Sequence, residues 1–200
     1  MNVGNFSEGM LLKNCSFVHD VLACCIVEVN GRAMVIRDAV ETDLEAIVEI
    51  YNSTIASRTI TADLEPISVE SRLAWFHSHT PDKRPLWVIE SEAEVVGWLG
   101  FQCFYSARRA YDVTAEISIY IAPAYRRQGI GRKLIQHAIA QCPKLHIKNL
   151  VGCIFATNKA SLKLFENFGF EQWGFLPAVA EFEHETCDLV IMGRRIEITA

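Results

Sequence analysis

Two groups of residues in this chain have the types and spacing to do chemistry together. One is a carboxylate, Glu116, set in the alternating run Ala115-Glu116-Ile117-Ser118-Ile119-Tyr120-Ile121. The other is the basic, glycine-bearing stretch that follows, Arg126-Arg127-Gln128-Gly129-Ile130-Gly131-Arg132. Glycines at 129 and 131 let the backbone turn tightly and approach a ligand, and a helix starting there presents free N–H groups and the positive end of its dipole. Arg126, Arg127, Arg132 and Lys133 add positive charge at the same place in a chain whose net charge is −5, a combination that suits a phosphorylated cofactor. A two-residue period puts Glu116 on one face of a strand with Ser118 and Tyr120, opposite Ile117, Ile119 and Ile121. A carboxylate there is costly unless it meets a cleft or a partner. It could face solvent or pair with Arg108 or Arg109; as a general base beside the turn, its pKa would be raised by burial toward the working pH.

What the turn lacks narrows its ligand. A dinucleotide fingerprint needs a third glycine where Leu134 stands, and no G-K-S or G-K-T follows, so hydride transfer and nucleotide hydrolysis are both disfavoured. A pyrophosphate read mainly through backbone N–H groups remains. His77 and His79, two apart on a helix, point to different sides, and no metal is expected. Seven cysteines, an odd number without C-x-x-C spacing, read as reduced thiols of a cytoplasmic protein. The acidic balance argues against a nucleic-acid partner, and the absence of a long apolar run argues against a membrane span.

These groups need a scaffold. With 200 residues, 50% hydrophobic and 22% charged, the chain fits one domain with a sizeable core. Strand patterns fall at Met34 to Arg37, Leu86 to Glu90, Val95 to Tyr105, Thr114 to Ile121, Leu150 to Ala156, Phe170 to Phe175 and Cys187 to Ile196. Helical patterns fall at Glu41 to Asn52, from Ser68 to before Pro81, at 129–142, and from Asn158 to Gly169. Thr42 with Glu45 reads as a capping box, Asn158 as an N-cap, and Arg58 to Pro66 as a loop. The sum is a mixed α+β fold, one layer of sheet with helices on both faces. The apolar stretch Phe17 to Val29 fails as a signal peptide, because His19, Asp20 and Glu28 interrupt it and no cleavage pattern closes it. Residues 1–33 read as an appendage, of a kind an upstream start codon adds, ahead of a domain spanning 34–200.

The order strand, Arg126-Arg127-Gln128-Gly129-Ile130-Gly131, helix, apolar strand, Asn158-Lys159-Ala160-Ser161, then Phe165 to Phe170 resembles the GNAT superfamily of acetyl-CoA-dependent N-acetyltransferases. Ser106 to Glu116, together with Glu65-Pro66, is similar to the branch acting on phosphinothricin, methionine sulfoximine and other L-amino acids. The resemblance covers residues 34–196. It implies a mostly antiparallel central sheet, a homodimer, and transfer of acetyl from acetyl-CoA to the amine of a small molecule, an amino acid or its analogue, with no metal.

By the same resemblance Ile119, Tyr120 and Ile121 match the strand that pairs with the pantetheine arm, and Arg126, Arg127, Gln128, Gly129, Ile130, Gly131 and Arg132 match the pyrophosphate loop. Asn158 and Ser161 match cofactor-side polar positions, and Glu116 matches the general base. Arg108, Tyr111, Ser118 and Glu183, with Glu116, are the expected acceptor contacts.

Three departures stand out. Phe165 replaces the Tyr or His that serves relatives as general acid, leaving Tyr120, Tyr125 or an unprotonated thiolate. Ala62-Asp63-Leu64 replaces an aromatic-and-arginine loop. The stretch Phe182 to Asp188 carries carboxylates where relatives carry cations, so a cationic amine would be the better acceptor if it lined the pocket. A CoA-binding sensor without activity, suggested by Phe165, and a protein-directed acetyltransferase are the competing functions.

Overall fold

The apolar runs fold into eight strands and four helices in the computed structural model, which describes residues 24–105, 108–183 and 185–197. The strands are β1 (Cys25–Val29), β2 (Arg32–Asp38), β3 (Leu86–Ser91), β4 (Glu94–Cys103), β5 (Thr114–Ile121), β6 (Asn149–Phe155), β7 (Glu171–Phe182) and β8 (Glu185–Arg195). The helices are α1 (Leu44–Ile55), α2 (Val69–His77), α3 (Ile130–Gln141) and α4 (Lys159–Glu166). One sheet carries all eight strands in the order β1-β2-β3-β4-β5-β6-β8-β7.

Every neighbouring pair is antiparallel except β5 and β6, which the α3 crossover makes parallel. That pair is short: Thr114, Ala115 and Glu116 face Asn149, Leu150 and Val151, and beyond them the strands part. On the other side β5 stays paired with β4 from Ala115 to Ile121. The edge of β5 past Glu116 therefore offers main-chain groups to whatever enters the gap.

Helices cover both faces, as expected. Alternation in β3 sends Leu86 and Val88 toward α1 and α2, where Leu44, Ile47 and Trp98 join them, and sends Trp87 and Ile89 to the opposite face with Leu99, Phe101, Leu134 and Ile135. Both clusters are buried, so the sheet is packed on either face around the gap at its centre.

Two expectations are corrected. The domain does not begin at Met34: Cys25–Val29 is the first strand, paired with β2 through an Asn30-Gly31 turn whose φ angles of 49° and 77° are left-handed. Asn-Gly between alternating residues is a strong hairpin signal, masked here by an apolar run that continues upstream to Phe17. Residues 1–23, the remainder of the expected appendage, lie outside the described residues. Nor does Thr42 cap α1. Residues Glu41–Asp43 form a 3-10 turn, and the Asp43 carboxylate takes the Val40 N–H at 2.8 Å and a two-pronged bond from Arg37 at 2.7 and 2.8 Å. The turn thus starts at Val40, with the Asp43 carboxylate reaching back to its N–H, and Thr42 lies inside the turn rather than at its cap. Asn158 does cap α4, accepting from the Ser161 N–H at 3.1 Å. Among the described residues no helix is long and apolar enough to cross a membrane, and the six cysteines are unpaired.

Candidate active site

A cleft of about 660 Å³ opens where β5 and β6 part. Ile119, Tyr120 and Ile121 form one wall, the glycine turn and the start of α3 its base, and Asn158, Ser161 and Phe165 the opposite wall. Every residue expected at the cofactor lines this cleft except Gln128, which is turned to the scaffold: its side chain donates to the Ala124 carbonyl at 2.9 Å and its own carbonyl accepts from Asn30 at 3.1 Å. The β1–β2 hairpin thus braces the turn from behind.

Local sterics shape the turn. Gly129 sits at φ 95° and serves as N-cap of α3 with no side chain, so the first-turn N–H groups of α3 face the cleft uncapped. Gly131 allows α3 to approach α4, since an added Cβ would lie 3.1 Å from Leu164 Cδ2. Arg126 ties the turn to the end of β5 through Nε to the Ile121 carbonyl at 3.0 Å, while its Nη2 is buried without a partner among the described residues. A buried, unpaired guanidinium nitrogen beside uncapped helix N–H groups fits a pyrophosphate. The residues present therefore suit the phosphorylated cofactor that the sequence implies.

Glu116 stands at the last rung before the gap, between Gln102 of β4 and Val151 of β6. Burial raises its pKa, and a hydrogen bond from the Cys153 thiol opposes this only in part. Cys153 is two residues beyond Val151 on the same face of β6 and opens into the cleft; burial and then the nearby Glu116 charge push its thiol up to about 11. Sequence reading missed Cys153, because only the β5–β6 register brings it to Glu116. The expected Arg108 or Arg109 partner does not appear, and Glu116 forms no ion pair among the described residues.

Phe165 lines the cleft but is 4% exposed, its ring edge-on to Phe170 at 4.7 Å and lying over Gly152, where a Cβ would come within 2.4 Å of Cε1. Of the two tyrosines expected as substitute acids, Tyr125 donates to Glu94 Oε2 at 2.9 Å. Tyr120 stacks on Trp98 at 4.4 Å, and burial, then the neighbouring Tyr51, raises its pKa.

A second cavity, about 90 Å³, lies on the far side of Tyr120 and shares Tyr120 and Ser118 with the cleft. Tyr51, Arg72, Trp75, Trp98 and Gln102 complete its polar and aromatic lining. The loop read as patternless contacts two of its lining residues: Tyr51 donates to Asp63 Oδ2 at 2.6 Å and Arg72 meets the same oxygen at 3.5 Å, while Thr59 and Ile60 reach the large cleft.

Of the other expected acceptor contacts, Ser118 lines both cavities, whereas Arg108, Tyr111 and Glu183 line neither. Arg108 precedes and Tyr111 ends an exposed 3-10 turn, with Tyr111 stacked on Tyr105 at 5.5 Å. Glu183 is exposed at the β7–β8 turn, and Asp188 is occupied by the Ala178 N–H at 2.8 Å. The acidic stretch is therefore not at the pocket, and the charge that is there belongs to Arg72. His77 meets Glu41 at 3.2 Å and His79 the Trp75 carbonyl at 2.9 Å, so the two histidines serve different contacts.

A sheet parted at its centre, a glycine turn capping a helix and a carboxylate at the fork define an acyl-CoA-type acyltransferase. The chain belongs to the acetyltransferase (GNAT) family, which it matches over residues 45–170. It is 50% identical over 164 residues, 82% of this chain and 99% of the relative, to YwnH of Bacillus subtilis, assigned as a phosphinothricin acetyltransferase. The L-methionine sulfoximine/L-methionine sulfone acetyltransferase of Salmonella typhimurium is 29% identical across 82% of this chain and 95% of its own. The Salmonella typhimurium acetyltransferase YncA, solved with its cofactor acetyl-CoA, superposes with a TM-score of 0.76 at 28% identity, covering 84% of this chain and 96% of that one. The protein is thus an N-acetyltransferase with acetyl-CoA as its donor.

Proposed function

We propose that the protein acetylates the amine of a small amino acid or amino-acid analogue, in the class of phosphinothricin and methionine sulfoximine, by direct transfer with Glu116 as general base. The observation that carries this reading is the position of Glu116: a carboxylate with a burial-raised pKa on the last paired rung of β5, itself lining neither cavity but next to Ile117, which lines the cleft, and two residues before Ser118, which lines both. When bound, acetyl-CoA supplies an activated thioester. The uncapped N–H groups of α3, Arg126 and Arg127 hold its pyrophosphate, and the free edge of β5 from Ile119 to Ile121 aligns its arm. Glu116 takes the proton from the acceptor ammonium, freeing the nitrogen lone pair. Backbone N–H groups near Ile121 supply the oxyanion contacts. With Phe165 unable to donate a proton, Tyr120 is the phenolic hydroxyl on the wall shared by both cavities, where Ser118 also stands, and its raised pKa keeps it protonated.

Replacing Glu116 with Gln lowers turnover at neutral pH by roughly a hundredfold or more while acetyl-CoA affinity is retained. Release of CoA thiol across L-amino acids, sulfoximines, polyamines and basic peptides measures it; undiminished turnover removes Glu116 as base, and activity confined to peptides removes the small-molecule reading. The protein works as a cytoplasmic homodimer in this reading. The edge strand β7 supports the dimer, because it exposes Trp173, Phe175, Leu176 and Val179 together. Sedimentation as a dimer, shifted toward monomer in Leu176→Glu, is the expected result.

A further inference from the structure

The small cavity behind Tyr120 has one charged lining residue, Arg72, and the cofactor has no evident use for it. We propose that Arg72, aided by the Trp75 indole N–H, is the receptor for the acceptor's carboxylate, and so the residue that decides between an amino acid and a simple amine. The proposal rests on the small-molecule reading above.

Four observations carry it. The guanidinium is held in place by two aromatic faces, 5.1 Å from the Tyr51 ring centroid and 5.4 Å from that of Trp75, which fix it without consuming its N–H donors. Among the described residues its anionic contact is Asp63 Oδ2 at 3.5 Å, beyond a close charged hydrogen bond, and that oxygen already accepts from Tyr51 at 2.6 Å. Trp75 Nε1, from a residue that lines the same cavity, is buried and has no partner among the described residues, a second donor awaiting an acceptor. Gln102, the cross-strand partner of Glu116, and Ser118, two residues along β5, also line the cavity, which places it next to the base. A ligand with an ammonium at Glu116 and a carboxylate in the fork of Arg72 satisfies both charges, and the planar fork matches a carboxylate in two-pronged fashion. The competing role is a purely structural tie between α2 and α1.

The test compares wild type, Arg72→Gln and Arg72→Lys with two acceptors: L-methionine sulfone and the amine left when its carboxylate is removed. Acetyl-CoA binding serves as the control for folding. The expected result is a wild-type preference for the acid in kcat/KM that falls about tenfold or more in Arg72→Gln, with Arg72→Lys between the two. A preference that persists in Arg72→Gln, or a wild type that favours the bare amine, overturns the role of Arg72 and leaves the small-molecule reading standing. A wild type that releases CoA with neither acceptor, nor with any other small amine, overturns that reading and this one with it.

Discussion

The two cavities, halves of one site in the proposed reading, are built differently. The large cleft is lined mainly by one contiguous passage, β5, the glycine turn and the head of α3, and presents uncapped helix N–H groups. The small cavity gathers side chains from α1, α2, β4 and β5, with Ile67 between the helices, spanning residues 47 to 120, and no local motif announces it. Backbone recognition tolerates changes of side chain as long as the turn keeps its shape. Side-chain recognition can be retuned one residue at a time, which is how a family with one cofactor can serve different acceptors.

The sharpest way to break this contrast is to deform the turn. Gly129 at φ 95° has open space around it, so Gly129→Val is opposed by backbone strain, about 1–3 kcal/mol, rather than by collision. The expected outcome is an acetyl-CoA KM raised tenfold or more with the ranking of acceptors unchanged. A changed acceptor ranking would show that the halves are coupled.

Next in size is the wall between β6 and α4. Gly152→Ala sets a methyl 2.4 Å from the Phe165 ring, which is packed against Phe170 and cannot swing away freely. A loss of about 1–3 kcal/mol in denaturant unfolding is expected, partly recovered by Phe165→Leu in the same chain.

The smallest effect separates chemistry from fold by pH. Burial raises the Glu116 pKa, so as pH falls it is protonated before an ordinary carboxylate would be, and with Glu116 as the proposed base activity falls with it. Asp43 behaves oppositely: burial would raise its pKa, but bonds from Arg37 and the Val40 N–H, with the Arg37 charge, hold it low. Its stabilisation is full above the unfolded value near 4 and is lost only as pH falls through the lower folded value. Turnover should therefore fall at a pH where the melting temperature is still unchanged. In Asp43→Asn the deficit, about 1–3 kcal/mol or roughly 2–4 °C per kcal/mol, should be largest at neutral pH and shrink as acid reaches that lower value.

Much of the fold was legible because its signals are local. Strand patterns located β2 to β6 and β8, β6 as a continuous apolar run, and Asn158 marked the start of α4 by a cap that forms as expected. Where a reading failed, a competing interaction or a masking pattern is identifiable: the Asp43 carboxylate reached back to the Val40 N–H and started the turn ahead of Thr42, and an upstream apolar run hid the Asn30-Gly31 hairpin. Two register shifts carry β7 on to Phe182, well past the short alternating run that could be read. Arg108, Tyr111 and Glu183 were placed by resemblance alone, and the fold sets them outside both cavities.

The sequence by itself determined the cofactor turn, because glycine conformation, helix N–H groups and neighbouring arginines act over a few residues and need no distant partner. Only the tertiary structure decided what surrounds it. The three-rung pairing of β5 with β6 opens the cleft at Glu116 and brings Cys153 to its carboxylate, and the packing of α1 and α2 on β4 and β5 sets Arg72 behind Tyr120. Those contacts join residues far apart in the chain, and the strand register and helix packing that create them are properties of the assembled core.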